Sequence, residues 1–313
     1  MKILITGGAG YIGSHVAKAL LEANRHDVVI LDNLCKGSMR AIEALRGVGE
    51  FEFVQESLEN TPAIEKLFKR EKFDAIIHFA AFIEVFESTQ NPLKYYLNNT
   101  ANVARVLKYA KTYNVNKFIF SSTAAVYGEP DVAEVSETTP TNPINPYGRS
   151  KLMSEQIIKD YAASNGNFKF AILRYFNVAG ADEEGLIGQN YPNATHLIKV
   201  AVQTALGKRE SMGIFGDDYA TKDGTCVRDY IHVSDLADAH ISALEYISQN
   251  GSETFNVGYG RGFSVKEVIE TAKKVSGVNF KVLNAPRRDG DPAILISNAS
   301  KLRSLTNWKP KRD

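Results

Sequence analysis

A glycine-rich turn near the start of the chain, TGGAGYIGSH at residues 6–15, constrains the fold more than any other feature. It follows a β-rich run, KILIT, and it opens a helical pattern, with Gly7, Gly10 and Gly13 in the turn. Glycines there permit a tight turn and a close backbone approach, so that a helix N-terminus can receive a pyrophosphate. Glycine spacing alone is weak evidence, but strand, turn and helix together predict a dinucleotide-binding fold.

The second β-rich run, DVVILD at residues 27–32, indicates which dinucleotide such a fold would bind. It ends in Asp32, 19 residues beyond Gly13. A carboxylate at this position can accept hydrogen bonds from both hydroxyls of the adenosine ribose, and it would repel a 2′-phosphate. The sequence therefore predicts NAD rather than NADP.

Strand-like and helix-like segments alternate through the first half of the chain. The β-rich runs lie at residues 2–6, 27–32, 51–55, 73–80, 117–122 and 168–174, and helical patterns at 14–23, 60–70, 92–114 and 146–166. Such alternation predicts an α/β fold, a Rossmann-type doubly wound parallel sheet. After about residue 176, loops rich in Gly, Asn, Asp and Pro predict a smaller, mixed α/β substrate domain. We expect an NAD-binding domain at 1–176 and a mainly substrate-binding domain at 177–313, with about 228–250 returning to the first.

The composition excludes several classes of partner. Lys and Arg total 37 against 36 Asp and Glu, for a net charge of +1, so no basic field favours nucleic acid or an anionic membrane. No run approaches the roughly 20 apolar residues of a membrane span. The two cysteines, Cys35 and Cys226, predict neither a disulfide framework nor a metal site. We expect a cytoplasmic protein that binds no metal.

Polar side chains at a strand end and on a helix predict a reactive centre. The run KFIFSST places Ser121, Ser122 and Thr123 at the carboxyl end of a strand, where open parallel sheets bind ligands. Tyr147 and Lys151 follow at i, i+4, on one face of a helix. A phenol has a pKa near 10, and a nearby ammonium together with a positively charged nicotinamide would lower that pKa toward neutrality. Tyr147 is therefore the predicted base, and His78 is expected to be structural.

Motifs along nearly the whole chain resemble the extended short-chain dehydrogenase/reductase superfamily, and within it the nucleotide-sugar 4-epimerases. The motifs are TGGAGYIGSH, LDNL, IIHFAA, FSSTAAVYGEP, NPYGRSKLMSEQ, LRYFNVAGA, IFGDDYATKDGTCVRDYIHVSDLADAH, FNVGYGRGFSV and APRRDGDPA. The resemblance implies that Thr123, Tyr147 and Lys151 are the catalytic residues, and that Lys151 also binds the nicotinamide ribose.

The same resemblance implies two sets of binding residues. The cofactor set is Gly7, Gly10, Tyr11, Ile12, Gly13, Asp32, Asn33, Leu58, Phe79, Ala80, Ala81, Asn98, Ser121, Tyr147, Lys151 and Tyr175. The substrate set is Thr123, Tyr147, Asn177, Phe215, Arg228, Arg288, Asp291 and Leu295. Arg228 and Arg288 are expected to bind the diphosphate. Phe215 is expected to contact the uracil, and Asp291 the uridine ribose. Arg287 is expected to be a surface charge.

Two alanines after Thr123 help to distinguish a 4-epimerase from a 4,6-dehydratase. Related 4,6-dehydratases carry acidic residues at these positions, which are Ala124 and Ala125 here. The resemblance thus implies reversible 4-epimerisation of UDP-hexoses through a 4-keto sugar, with NAD retained. A 4-reductase, a 4,6-dehydratase and a non-catalytic NAD-binding sensor remain alternatives.

The resemblance also implies a substrate range and an assembly. Leu295 occupies the position that limits bulk at C2 of the sugar, and it is smaller than the tyrosine that excludes N-acetylated sugars. We therefore expect UDP-GlcNAc and UDP-GalNAc as additional substrates. A homodimer is expected to pack through the helices at 92–114 and 146–163.

Overall fold

The structure, a computed structural model, describes residues 1–191, 195–288 and 290–312. Its strands are β1 (Lys2–Thr6), β2 (Asp27–Asp32), β3 (Glu52–Gln55), β4 (Ala75–His78), β5 (Lys117–Thr123), β6 (Glu134–Val135), β7 (Lys169–Tyr175), β8 (Asn177–Ala179), β9 (Ser211–Phe215), β10 (Val227–His232), β11 (Glu253–Val257), β12 (Gly262–Ser264), β13 (Lys281–Ala285) and β14 (Ile294–Ser297). Its α-helices are α1 (Tyr11–Ala23), α2 (Met39–Arg46), α3 (Thr61–Arg70), α4 (Val85–Gln90), α5 (Pro92–Tyr95), α6 (Asn102–Thr112), α7 (Pro146–Ser164), α8 (Leu197–Ala205), α9 (Val233–Gln249), α10 (Val265–Ser276) and α11 (Ser300–Leu305).

A seven-stranded sheet organises the molecule, in the order β11-β7-β5-β4-β1-β2-β3. Its strand pairs are all parallel. One buried apolar cluster includes side chains of α1 and α9, and a second includes side chains of α3 and α6, so helices cover both faces. The strand order reverses at β1 and β4, and such a switch point opens the crevice that binds ligands in this fold. The predicted Rossmann-type doubly wound sheet is confirmed.

Late segments of the chain return to this sheet. Strand β11 pairs with β7 along its whole length, from Glu253 opposite Ala171 to Val257 opposite Tyr175. Helix α9 precedes it, and its buried residues join the same apolar cluster as those of α1.

Smaller sheets lie beyond the carboxyl edge. One has the order β12-β10-β14-β6, with β8 pairing with β10, and another pairs β13 with β9. A separate apolar cluster supports the β9–β13 pair through side chains of α8 and α10. These elements carry four of the eight predicted substrate residues, Asn177, Phe215, Arg228 and Leu295.

The helix predicted at 92–114 is not one regular α-helix. Helix α5 is followed by a π-helical segment at Tyr96–Ala101, and α6 then continues the path. Within the π-helical segment Asn99 is buried, and its amide donates to the carbonyl oxygen of Phe82 at 2.9 Å and to Ser150 Oγ at 3.1 Å. Such insertions widen a helix and recur at functional sites. Here the wider turn places the side-chain amide of Asn99 between the loop after β4 and helix α7.

Candidate active site

Helix α7 begins where its sequence predicts. Asn145 caps it by accepting the backbone N–H of Gly148 at 2.9 Å, and Pro146 occupies the first turn. The N–H of Tyr147 donates to Ser88 Oγ at 3.1 Å, which ties this start to α4. Tyr147 and Lys151 are both buried, and both face strand β5. The predicted pair therefore lies on one inward face.

Three consecutive residues of β5 contact three residues spaced one turn apart on α7. The carbonyl oxygen of Ser121 accepts a hydrogen bond from Lys151 Nζ at 2.7 Å. Ser122 Oγ donates to Glu155 Oε1 at 2.6 Å. Thr123, the last residue of the strand, interacts with Tyr147 and lowers its pKa. The strand end and the helix are thus held in fixed register, and the predicted catalytic residues come together.

Burial dominates the electrostatics of this centre. It raises the pKa of Tyr147 to about 12, against a smaller lowering by the hydrogen bond with Thr123. It lowers the pKa of Lys151 to about 7, and the charge of Glu155 opposes that shift. The direction at Tyr147 is the reverse of the lowering predicted for the phenol with nicotinamide present. Groups of the protein alone favour the neutral phenol.

The glycine-rich turn leaves room for a phosphate and for little else. Gly7 has a φ of 74°, and a Cβ on it would lie 2.7 Å from the backbone nitrogen of Ala80. A Cβ on Gly13 would lie 2.4 Å from the carbonyl oxygen of Gly7. Gly10 is the N-cap of α1 and offers no side-chain cap, so the first N–H groups of the helix stay open to an anion. This turn fits a dinucleotide pyrophosphate.

Asp32 lies at the end of β2 and is buried. Its two oxygens accept the backbone N–H groups of Leu34 at 2.7 Å and of Ala9 at 3.0 Å. Burial raises its pKa, and these two hydrogen bonds oppose the rise. Each carboxylate oxygen has a second lone pair, so the oriented group can still accept ribose hydroxyls.

The other predicted cofactor residues lie elsewhere around the proposed dinucleotide site, beyond the glycine-rich turn and Asp32. Phe79, Ala80 and Ala81 directly follow β4, and the hydroxyl of Tyr175 shares a hydrogen bond with Ser121 Oγ. Tyr11 donates its hydroxyl to the carbonyl oxygen of Gly180 at 2.6 Å. Four more make local contacts: Asn33 accepts the N–H of Cys35, Asn98 donates to Asn99, Ile12 packs against the first apolar cluster and Leu58 lies in the second.

On the substrate side, three predicted residues lie close together. Arg228 on β10 and Leu295 on β14 are register partners. Arg228 Nη2 lies 3.6 Å from Asp291 Oδ1, and its Nη1 donates to the carbonyl oxygen of Val227. Asn177 begins β8, the strand that pairs with the later part of β10, from Tyr230 to His232. The predicted diphosphate, ribose and sugar contacts thus share one small sheet.

Arg288 and Phe215 contact each other. The guanidinium of Arg288 lies over the Phe215 ring, 3.5 Å from its centroid, and burial lowers the Arg288 pKa. Arg288 and Asp291 line a groove of about 530 Å³, together with residues 129–133. Arg287 lines the same groove, is half exposed and pairs with Asp218 at 2.6 Å.

Some residues of this centre were not predicted from the sequence. Glu155 and Arg174 form a buried ion pair behind the strand end, with Arg174 Nη2 2.6 Å from Glu155 Oε2. The spacing of Glu155, four residues after Lys151, is the one signal that could have indicated it. Arg174 carries no such signal because it lies on another strand.

A Rossmann-type sheet with a buried Tyr–Lys pair beside a strand-end threonine defines the short-chain dehydrogenase/reductase class. The sequence profile of the NAD dependent epimerase/dehydratase family matches residues 3–258, and the chain belongs to that family. Among the residues that the structure describes, no helix is long and apolar enough to cross a bilayer.

Several relatives match the chain over nearly its full length. A UDP-glucose 4-epimerase of Azospirillum brasilense is 49% identical, with 100% of this chain and 88% of the relative covered. The structure of a UDP-Glc/GlcNAc 4-epimerase from Campylobacter jejuni is 61% identical with a TM-score of 0.88, covering 100% and 94% of the two chains. A UDP-glucose 4-epimerase from Bifidobacterium longum, solved in complex with NAD⁺ and UDP, is 38% identical with a TM-score of 0.97, again covering 100% and 94%.

Proposed function

We propose that this protein is an NAD-dependent epimerase that reversibly inverts C4 of UDP-hexoses, UDP-glucose and UDP-galactose, through a transient 4-keto sugar. The observation that carries the proposal is the buried pair Tyr147 and Lys151, one turn apart on α7, packed against the end of β5 that carries Thr123, in a sheet with a dinucleotide turn. The similar proteins of A. brasilense and B. longum, both UDP-glucose 4-epimerases, support it.

The protein groups have separate roles in this reaction. Tyr147 takes the proton of the 4-hydroxyl and later returns it, and Thr123 hydrogen-bonds the same hydroxyl. Bound NAD supplies the exchange of hydride at C4. Lys151 holds the nicotinamide ribose, and its positive charge favours the phenolate of Tyr147. The first N–H groups of α1 hold the pyrophosphate, and Asp32 holds the adenosine ribose.

The residues after Thr123 favour an epimerase over a 4,6-dehydratase. Ala124 and Ala125 form a 3₁₀ turn there, and neither side chain can act as an acid or a base. A 4,6-dehydratase needs a base to remove the proton at C5 and an acid to expel the C6 hydroxyl. The 4-keto sugar can then only take its hydride back, on either face.

The substrate must stay bound while its sugar turns. We assign that task to Arg228 and Arg288, whose charge-assisted hydrogen bonds suit a diphosphate, and to Asn177, Phe215 and Asp291. These residues lie in 177–313, the part that we propose binds mainly substrate, whereas 1–176 binds the cofactor. Strand β10 and helix α9, within 227–249, link the two parts.

We propose that N-acetylated UDP-hexoses are substrates as well. Leu295 is 6% exposed and packs in an apolar cluster with Ala124 and Phe176, directly beside the strand end that carries Thr123. A leucine fills less space than a tyrosine, which leaves room for an N-acetyl group at C2. The 61% identical protein of C. jejuni is a UDP-Glc/GlcNAc 4-epimerase, which supports this range.

We further propose that the protein is a cytoplasmic homodimer. Large apolar side chains are exposed on α5 and its π-helical continuation, Leu93 at 69% and Leu97 at 60%, and Met153 is exposed on the adjoining α7. Their burial against a second copy would remove a contiguous apolar surface from water. Cys35 and Cys226 are free thiols, which suits a reducing compartment.

The direct experiment adds no cofactor. Purified protein is incubated with UDP-glucose or UDP-GlcNAc, and the sugars are identified by NMR. We expect the C4 epimer of each, with no net release of NADH. A 4-keto-6-deoxy product would show a dehydratase, and a 4-keto sugar formed with stoichiometric release of NADH or NADPH would show a 4-reductase. Binding of NAD without conversion of either sugar would favour a sensor.

A further inference from the structure

We propose that Glu155 is a positioning residue of the catalytic centre, which holds Ser122 beside Thr123 and places a buried carboxylate one turn from Lys151. The inference rests on the proposed function, because it assigns a task within the same Tyr–Lys centre. Glu155 is fully buried and has no part in the roles given above to the other residues.

The position of Glu155 continues the register between β5 and α7. Tyr147, Lys151 and Glu155 follow one another at intervals of four residues. Lys151 is hydrogen-bonded to Ser121 and Glu155 to Ser122, and all three residues of α7 are buried. Ser122 is completely buried, and its hydroxyl donates to Glu155 Oε1 at 2.6 Å. Because Ser122 directly precedes Thr123, this bond fixes the strand end that presents the threonine.

A buried carboxylate needs compensation, and Arg174 supplies it. Arg174 is the register partner of Ser122 on the neighbouring strand β7. Its Nε lies 3.0 Å from Glu155 Oε1 and its Nη2 lies 2.6 Å from Oε2, a bidentate arrangement. Arg174 Nη1 also donates to the hydroxyl of Tyr127 at 3.1 Å. A buried ion pair is costly to desolvate and adds little net stability, so its contribution here is the fixed position that it gives to Glu155 and Ser122.

A second role of Glu155 is visible in the charges around Lys151. His78 on β4 is neutral near pH 7, since burial lowers its pKa to about 3, and Tyr175 on β7 is an uncharged phenol whose pKa burial raises. Tyr147 lies on the same helix. Glu155, four residues after Lys151 along the same buried face of α7, carries a negative charge that favours the ammonium of Lys151 against burial. The remaining neighbour of Glu155, Lys159, is 3.8 Å away with a largely exposed side chain.

The test compares three variants as holoenzymes. Glu155→Gln keeps the shape and removes the charge, and Glu155→Gln/Arg174→Gln also removes the cation that would be left unpaired. Lys159→Gln is the control, because it changes a charge near Glu155 on the exposed side. For each variant, kcat/KM is measured against pH, and the phenolate of Tyr147 is titrated by its ultraviolet absorbance against a Tyr147→Phe reference.

We expect Glu155→Gln to move the alkaline limit of kcat/KM to lower pH, because Lys151 then loses its proton more readily. Activity should fall about tenfold at about pH 8 and much less at about pH 6. The phenolate should form at higher pH, and this change needs no turnover, so it is measurable even if the substrate assignment is wrong. Lys159→Gln should match the unmodified protein in both measurements.

A purely structural role predicts a different pattern. In that case the double variant would recover thermal stability, and its pH limit and phenolate titration would coincide with those of the unmodified protein, which would overturn the proposal. We expect instead that the double variant is more stable than Glu155→Gln while both pH measurements stay displaced. If Glu155→Gln does not fold, the double variant alone decides between these outcomes.

Discussion

Tyr147 is a phenol whose protein surroundings keep it protonated. Burial raises its pKa to about 12, whereas Lys151, one turn away, has a pKa lowered to about 7. Neither residue alone has the charge that proton abstraction at neutral pH requires. The centre becomes a base only when phenolate and ammonium form together, so the protonation states belong to the pair rather than to either residue.

Removal of the phenolic hydroxyl tests the role of Tyr147 directly. Tyr147→Phe should lower kcat by about 10²- to 10⁴-fold, the usual contribution of a positioned acid or base. The ring is retained, so the fold and the content of bound NAD should be unchanged. Turnover of UDP-glucose by NMR, together with the NAD released on denaturation, measures both. Undiminished turnover would show that another group takes the proton.

The size of the side chain at position 295 tests the proposed substrate range. Leu295→Tyr should lower kcat/KM for UDP-GlcNAc by more than about tenfold and change that for UDP-glucose much less, because one added steric clash costs about 1–3 kcal/mol. Leu295→Met conserves volume and is the control, with both activities kept. Equal loss on both sugars would indicate disturbed packing against Ala124 and Phe176 rather than selection at C2.

At the scale of elements, the turn between β1 and α1 depends on the absence of side chains. A Cβ at Gly13 would meet the carbonyl oxygen of Gly7 at 2.4 Å, whereas a Cβ at Gly166, after α7, would meet nothing within 4 Å. The two glycines therefore form a matched pair for substitution. One lies against the backbone of the predicted pyrophosphate site, and the other lies in open space.

Gly13→Ala should displace the turn and weaken the binding of NAD. We expect the variant to be purified with little bound NAD, and to lose about 1–3 kcal/mol of unfolding free energy through overpacking. Gly166→Ala should retain both the cofactor and the stability. The NAD content after denaturation and urea unfolding curves are the measurements. Full retention of NAD by Gly13→Ala would place the pyrophosphate elsewhere.

The elements around the site differ in how far sequence alone predicts them. Gly7, Gly13 and Asp32 were predictable because a turn and a strand end depend on a few neighbouring residues. The Glu155–Arg174 pair was not, because it joins residues 19 positions apart through the packing of α7 on β7. The π-helical segment was missed for a related reason, since Asn99 is drawn inward by Phe82 and Ser150 rather than by its neighbours in sequence.

At the scale of the whole molecule, exposed apolar side chains on α5 and α7 predict how copies associate. Leu97→Asp should convert the proposed dimer to a monomer, because a carboxylate would be buried without a partner. Val275→Asp is the control, since Val275 is 82% exposed on α10, outside that surface. Sedimentation velocity distinguishes the states. A Leu97→Asp variant that sediments like the unmodified protein would exclude this surface as the interface.

The buried histidines predict the response of the fold to acid. Burial lowers the pKa of His78 to about 3 and that of His240 to about 4, below the value of 6.5 for an exposed histidine. Between pH 6.5 and 4 the unfolded chain therefore binds more protons, so the free energy of unfolding falls as the pH falls. Each such histidine contributes about 1.4 kcal/mol per pH unit across this window.

Substitution of one histidine isolates its share. His240→Asn keeps a group that can replace Nδ1, which contacts the carbonyl oxygen of Leu236, and it removes the titration. The slope of unfolding free energy against pH should fall by about 1.4 kcal/mol per pH unit between pH 4 and 6.5. His26→Asn, at a partly exposed site, should change the slope less. Urea unfolding at several pH values gives the slopes, and an unaltered slope for His240→Asn would contradict the assignment.

The position of β11 at one edge of the main sheet has a consequence for the order in which the protein is made. Strand β7, which carries Arg174 and Tyr175, remains an open edge until residues 253–257 pair with it. A ribosome must therefore deliver about eighty further residues before the sheet is complete, and an unpaired strand edge invites association with other chains. The nascent chain is most exposed to aggregation during that interval, and chaperones would act on it then.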